Sequence, residues 1–484
     1  MNASTDETMK AAATRAELMS ILAAQKQALL NERFPSAKVR EDRLDRLLDV
    51  HVRYKDKIIE ALSSDFGGRS RIQSLVTDVV STVGAIKYTR GKVRQWMRPQ
   101  RRQLPLIAAL TGGRAEVHYQ PLGVVGNISP WNFPVGLAFT PAIEAIAAGN
   151  RVMLKPSEVT PASADIIREM VCSAFSSEEI AVVTGGVDVG QAFSTLPFDH
   201  LVFTGGPEVA RHVMSAAAQN LVPVTLELGG KCPVVIGESA RFAEAVERIL
   251  TTKAINSGQL CLTPDYVFVP KARLEEFISQ AQAIWQRFYP QGLLDNDDYT
   301  AIVNPRHWQR VQSYLDEAKG RGTRIVQHNT AGEDFSNAQR HKLPPTLVIE
   351  PADDLRVMKD EIFGPLLSVK GYDSLDQVID FINARPRPLA LYYFGYDKTQ
   401  AHRLLLETTS GGVTINDAAQ HVAFPDLPLG GVGNSGMGAY HGKRGFLQFS
   451  HGKAVYRQGW LSMGKFFRPP FTEARRKLFE SQLK

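Results

Sequence analysis

Three side chains able to share one reaction stand in constrained contexts. Cys261 closes the run Asn256-Ser257-Gly258-Gln259-Leu260-Cys261. Glu227 lies 34 residues upstream, in Leu226-Glu227-Leu228-Gly229-Gly230. Asn132 stands between two prolines in Ser129-Pro130-Trp131-Asn132-Phe133-Pro134. A thiol, a carboxylate and a carboxamide can act as nucleophile, base and oxyanion donor in covalent oxidation of a carbonyl. Each also has an ordinary reading. A lone cysteine is commonly buried and inert, and we expect that of Cys172, on an apolar helix face, and of Cys232, beside a sheet turn. Cys261 follows a helical run and a Gly-Gln pair, so a helix start or a dense set of backbone N–H groups is expected to lower its thiol pKa. Glu227 is either a paired structural group or a base with a raised pKa. Asn132 either donates to an oxyanion or caps the helix that begins near Val135.

Further runs could hold a ligand. Phe203-Thr204-Gly205-Gly206-Pro207-Glu208-Val209-Ala210 joins a strand to a helix. Glycines there let a phosphate approach the helix start, where free N–H groups favour anions. The run lacks GxGxxG, and a plain tight turn explains it as well. Lys155-Pro156-Ser157-Glu158 could hold ribose hydroxyls or be an exposed surface pair. Glu361-Ile362-Phe363-Gly364-Pro365 sets a carboxylate and a ring before a turn, and residues 428–438 form a glycine-dense loop. No HExxH or CxxC spacing occurs and the eleven histidines are dispersed, so no catalytic metal is expected.

The elements that must carry these residues follow from periodicity. Residues 8–110 read mainly as helices, with Leu18, Met19, Leu22 and Leu44, Leu47, Leu48, Val52 at helical spacing. Val117–Gln120 reads as an extended arm. Strands are expected over Gly123–Ile128, Arg151–Leu154, Ile180–Val183 and His200–Phe203. They alternate with helices over Val135–Ala148, Pro161–Ser173, from near Val189, and Pro207–Ala218. That alternation indicates a parallel sheet. A second α/β stretch follows, with strands at Val234–Ile236, Tyr266–Val269, Leu347–Ile349, Leu389–Phe394 and Gly412–Thr414. Its helices fall at about Arg241–Ile255, Arg273–Arg287, Trp308–Arg321, Ser374–Ala384 and Lys398–Glu407.

Composition excludes several classes. The chain is 44% hydrophobic and 22% charged, enough for a large core without disulfides or structural metals. Three scattered cysteines suit a reducing compartment, so the cytoplasm is expected. Met1–Glu17 does not read as a signal peptide. The apolar run Pro134–Asn150 is too short and interrupted to span a bilayer. Seven Lys/Arg and no acid lie between Lys87 and Arg102, around Trp96. Without a recognition motif this reads as a solvated helix face rather than a nucleic-acid patch. The tail from Trp460 to Lys484 carries Phe466, Phe467, Phe471 and six Lys/Arg. It could cover a substrate mouth, make weak contact with a membrane surface, or be a solvated terminal helix.

Taken in order from about residue 100 to 455, these motifs resemble the NAD(P)-dependent aldehyde dehydrogenase superfamily. The C-terminal run Gly430–Gly442, then Phe449-Ser450-His451, with His421-Val422-Ala423 ahead of it, looks like the class 3 branch and most like coniferyl aldehyde dehydrogenases. The resemblance implies Cys261 as nucleophile, Glu227 as general base, and Asn132 with the Cys261 backbone N–H as oxyanion donors. It implies Trp131, Lys155, Glu158, Gly205, Gly206, Glu361 and Phe363 as cofactor contacts. The implied reaction oxidises an aldehyde, aromatic or long-chain, through a thioester to the acid, with water as acyl acceptor because Glu227 is present. Glu158 near a ribose opposes a 2′-phosphate, so NAD is expected, with NADP possible. Gly206, Pro207 and Ala210 depart from the family's usual Gly-Ser-Thr and later glycine.

The implied fold is α/β, with a Rossmann-type cofactor domain over 1–112 and 121–231, to which 420–437 returns. A catalytic domain spans 232–419, a small β oligomerisation arm comprises 113–120 with 438–458, and 459–484 is an extension. A homodimer is expected. The rival readings are a cysteine acyl hydrolase and a non-catalytic binding protein that keeps the fold.

Overall fold

A computed structural model describes residues 2–336, 340–462, 464 and 467–483. Phe466 and Lys484 of the tail lie outside the described residues. Two parallel sheets organise the chain. The first runs, in spatial order, Ile180–Val182, Arg151–Lys155, Val124–Ile128, His200–Gly205 and Val224–Leu228, all parallel, with Gly436–Met437 antiparallel at its edge. The chain builds outward from Val124–Ile128 on one side and then crosses to His200–Gly205 on the other. Such a reversal opens a crevice at the carboxyl ends of the two central strands.

The second sheet orders Arg324–Gln327, Thr346–Ile349, Leu366–Tyr372, Pro264–Pro270, Cys232–Ile236, Ala390–Phe394 and Gly412–Ile415, with only the first antiparallel. A three-stranded antiparallel sheet joins Gln100–Arg102, Arg114–Pro121 and Ser450–Arg457, with Ser450 paired to Pro121 and Arg457 to Arg114. The strands at 100–102, 224–228, 324–327 and 366–372 are not among those expected from the sequence and are seen only in the fold.

Helix Pro134–Ala148 is apolar on nearly every side, and it is accordingly packed inside, covered by the N-terminal helices. Pro134 starts it, and Gly149 at φ 96° ends it. A Cβ at Gly149 would meet the Arg40 guanidinium at 2.7 Å. The expected cap is not made by Asn132. Instead Asp78, in a π-helical turn Leu75–Val80, accepts from Gly136 N at 3.0 Å. Asp78 also accepts from Arg69 Nη2 at 2.9 Å, and Arg69 Nη1 donates to Asn132 O at 2.7 Å. The guanidinium lies between the Phe66 and Phe133 rings, and both side chains of the ion pair are almost wholly buried.

The basic segment Lys87–Arg102 is mostly helix. Trp96 is buried against Phe446, while Arg90 and Arg94 pair with Asp45 and Glu41. Cys172 departs from expectation. It ends helix Pro161–Cys172 and is exposed, whereas Cys232 is buried. In the tail, Trp460, Phe467 and Phe471 are exposed, and Glu473–Glu480 is a short helix capped by Thr472. No helix among the described residues is long and apolar enough to cross a membrane.

Asp78→Asn strands the Arg69 cation in the interior and removes a helix cap. Loss of one partner of a buried pair costs about 3–5 kcal/mol, so the first unfolding transition in urea should move to clearly lower concentration. An unchanged midpoint rules out this tie as a structural support.

Candidate active site

The candidate residues lie where strand ends of the first sheet approach strand ends of the second. Asn132, Lys155, Gly205 and Glu227 lie at or just past the carboxyl ends of first-sheet strands. Cys232, Cys261, Glu361 and Phe363 lie at or just before the amino ends of second-sheet strands. The seam is stitched by amides. Asn132 Nδ2 donates to Gln259 O at 3.2 Å, and Asn256 Nδ2 donates to the same carbonyl at 3.2 Å and to Asn132 O at 3.1 Å. The Asn132 carboxamide is thus turned toward the nucleophile loop, two residues short of Cys261.

That loop has an unusual backbone. Asn256, Ser257 and Gly258 all have positive φ, at 49°, 50° and 74°. For Asn and Ser such geometry costs of order 1–3 kcal/mol and persists only where surroundings enforce it. Here Gln73 Oε1 accepts from Asn256 N at 2.9 Å, and Ser257 Oγ donates to Thr300 O. Gln259 spans Asn256 O, Ala301 O and Val303 N. A Cβ at Gly258 would sit 2.2 Å from Gly364 O, so only glycine lets the loop pass.

Cys261 is half-buried and is reached from a short 3₁₀ turn, Ile255–Gly258, rather than standing at a helix start. The expected thiol-lowering environment is therefore absent. Burial pushes the thiol well above its usual range, and the fields of Glu227, Glu361 and Cys232 add to it. Cys232 Sγ lies 3.4 Å from Cys261 O.

Glu227 is buried on strand Val224–Leu228, and neither carboxylate oxygen has a hydrogen-bond partner of normal geometry in the protein. Burial raises its pKa to about 7, with the nearby Cys261 thiol pulling the other way. It is ionised in part at neutrality, which suits a base. Glu361 is pushed up to about 8 by burial and the field of Asp265, and is opposed by the Gly230 N–H, Lys231 and Arg310. A Cβ at Gly229 would lie 2.2 Å from a Glu361 carboxylate oxygen, so this glycine makes room for that acid.

The remaining candidates trace one edge of the first sheet. Lys155 is buried, not part of an exposed pair. Its Nζ donates to Pro156 O at 3.0 Å and to the half-exposed Glu158 at 3.1 Å. Gly205 ends its strand where a Cβ would strike the Phe203 ring at 2.6 Å. Gly206 leads into helix Pro207–Ala218, and a Cβ there would meet nothing within 4 Å. Trp131 stacks edge-on against Phe363 at 5.2 Å and tilts against His307 at 4.8 Å. Phe363 itself has φ 47°. Arg310 holds it there through Glu361 O, Ile362 O and Phe363 O.

Lys155 and Glu227 are three strands apart in this sheet. At about 4.8 Å per strand that is roughly 14 Å. These residues fit a dinucleotide. An extended one can lie along such an edge, with the open Gly206 turn beneath its phosphates. The unpartnered Glu361 Oε1 remains as a polar contact at the Cys261 end.

Arg69, Gln73, Asp78, Asn256, Gln259, Thr300 and Tyr440 were not singled out as site residues. Arg69, Gln73 and Asp78 lie in an ordinary helical region and leave no local signal. Asn256 and Gln259 flank Cys261 and were visible only as its context.

The family model described as Aldehyde dehydrogenase family matches residues 2–455. A Caulobacter vibrioides protein named probable coniferyl aldehyde dehydrogenase is 49% identical, covering 98% of this chain and 98% of its own. A Pseudomonas sp. protein named coniferyl aldehyde dehydrogenase is 45% identical, covering 95% and 94%. The substrate-bound state of Staphylococcus aureus AldH superposes with a TM-score of 0.90 at 35% identity, over 96% of this chain and 99% of that one.

Because burial, with the fields of Glu227 and Glu361 added to it, holds the Cys261 thiol protonated, alkylation of Cys261 by iodoacetamide in a Cys172→Ser background should be slow at neutral pH and climb on the alkaline side. Glu227→Gln removes one of those fields and should speed labelling several-fold at pH about 8. Equal rates in the two proteins would show that Glu227 does not act on the thiol.

Proposed function

We propose that this chain, which belongs to the aldehyde dehydrogenase family, oxidises an aromatic aldehyde of the coniferyl type to its acid with NAD, using Cys261, Asn132 and Glu227. It is an NAD(P)-dependent oxidoreductase acting on aldehydes. The observation that carries the assignment of roles is the convergence of a half-buried thiol, an unpartnered carboxylate and a carboxamide at one seam.

Cys261 sulfur adds to the aldehyde carbon as its thiol proton is released to solvent. The carbonyl oxygen becomes an oxyanion held by Asn132 Nδ2 and the Cys261 N–H. The bound cofactor would supply the acceptor for the hydride that this carbon loses. Glu227, as its carboxylate, then takes a proton from water as its oxygen bonds to the acyl carbon. The C–S bond breaks with its electron pair staying on Cys261, and the acid leaves.

Trp131, Lys155, Glu158, Gly205, Gly206, Glu361 and Phe363 are the residues we assign to the cofactor. The half-exposed Glu158 carboxylate beside Lys155 supports NAD over NADP, since it opposes a 2′-phosphate. The coniferyl preference is supported by the two relatives above and by Phe133, Leu260 and Leu262, which are apolar around the seam. The first sheet would then be the cofactor domain, the second the catalytic domain, and the three-stranded sheet the arm. Ser450–Arg457 is an edge strand of that arm, which supports pairing of two copies in a homodimer. Free thiols at Cys172, Cys232 and Cys261 support a cytoplasmic setting.

Reduction of NAD and NADP is to be followed with coniferyl, benzaldehyde-type and long-chain aldehydes. A preference for coniferyl aldehyde and NAD is expected. A long-chain preference discards the aromatic reading, and aldehyde- or ester-directed turnover without nicotinamide would point to an acyl hydrolase. Cys261→Ala should abolish oxidation, and Asn132→Ala should lower it about 10²–10³-fold. Glu227→Gln should give one burst of reduced cofactor and then stall. The hydrolytic half should rise with pH through about 7, as Glu227 loses its proton. Light scattering reads the assembly directly: twice the chain mass is expected, and a monomer mass discards the pairing.

A further inference from the structure

Four buried oxygens gather near Glu227 without a protein partner of normal hydrogen-bond geometry: both of its own, which the Cys261 thiol approaches, and Thr204 Oγ1 and Tyr440 Oη, which lie within weak hydrogen-bond reach of each other. Thr204 and Glu227 are register partners on adjacent parallel strands, so their side chains leave the same face of the sheet. Gly436 pairs with Glu227 from the other side and brings the C-terminal segment across it. Four residues on, Tyr440 is fully buried. Its backbone is fixed by two bonds to Leu429, at 2.8 and 2.9 Å. Just beyond it, Glu144 Oε1 accepts from Gly442 N at 3.0 Å. The Tyr440 hydroxyl lies within the fields of Glu227, Cys261 and Glu144 and beside Thr204.

Buried polar atoms almost always have a partner, and where protein supplies none, ordered water does. We propose that Thr204 and Tyr440 wall a closed pocket of ordered water behind Glu227, and that Tyr440, through that water, is the positioning residue for the general base. This rests on the assignment of Glu227 as base. The Tyr440 hydroxyl donates to water, and the water donates to the carboxylate. That holds the carboxylate in one rotamer and favours its ionised form. The titratable groups around it are Cys261 on the nucleophile loop, Tyr440 on the C-terminal segment and, further off, Glu361 and Glu144. Each of these opposes ionisation when charged; the neutral Cys261 thiol and the neutral Tyr440 hydroxyl are the donors among them able to support the carboxylate, and Tyr440 is the one that takes no part in acylation.

Tyr440→Phe keeps the ring and deletes the donor. The burst of reduced cofactor should stay within about twofold, since acylation does not need the carboxylate held. Steady-state turnover should fall about tenfold, the scale of one hydrogen bond to a charged group relayed by water. The midpoint of the rising pH limb should move to higher pH. A merely structural role would lower burst and turnover together and leave the midpoint in place, which overturns the proposal. Glu227→Gln is run beside it. If that variant stalls after a burst while Tyr440→Phe matches the parent protein, the base assignment stands and this inference fails. If Glu227→Gln turns over normally, both fail. Should Tyr440→Phe not fold, a high-resolution crystal structure of the parent protein decides. Water bridging Tyr440 Oη and Glu227 is expected, and a dry contact overturns it.

Discussion

The buried pair of Arg69 and Asp78 is the constraint on which the working end of the molecule depends. One guanidinium binds the carbonyl of Asn132, and its counter-ion caps the helix that leaves Asn132 two residues later. An ion pair in the interior is costly to desolvate, and replacing it with hydrocarbon can even stabilise a fold. What hydrocarbon cannot do is hold a turn by its carbonyl and a helix by its N–H at once. The N-terminal helices therefore act as more than a cover for the first sheet. They set the direction of a carboxamide that the sheet alone leaves free.

Across the seam the same logic is carried by amides instead of ions. Asn256, Gln259 and Gln73 hold three consecutive left-handed residues just ahead of Cys261. The two sides share one acceptor, the carbonyl of Gln259. Rigid neutral groups surround reactive ones that are starved of partners. Glu227 and the Cys261 thiol are enclosed side by side, and burial is what chiefly raises both pKa values. Reactivity at this site is stored as missing solvation.

Much of this was legible from residues, for reasons that differ by element. Alternating strands and helices from Val124 to Ala218 follow from short β-branched runs and proline helix starts at Pro134, Pro161 and Pro207. Strand Val224–Leu228 was not, although Val224-Thr225-Leu226-Glu227-Leu228 alternates, because so short a run beside two glycines reads as well as a turn. The ordered motifs from Asn132 to Phe363 pointed to the reaction through resemblance. The electrostatic environment of Cys261 did not, because it depends on burial and on Glu227 and Glu361 arriving from a strand and a loop far away in the chain. Arg69 and Asp78 were hidden for the same reason: their partners are 63 and 58 residues away in the chain. Cys172 was misjudged because it ends its helix, where one turn decides between core and solvent.

That last residue has a practical consequence. Of the three thiols, Cys172 alone is exposed. A fluorophore or spin label offered under mild conditions will find it before the half-buried Cys261, which gives a ready attachment point. The converse also holds. Bulk thiol titration, or covalent pairing of molecules during storage in air, will report on this helix end, so loss of free sulfhydryl and loss of turnover should follow separate clocks.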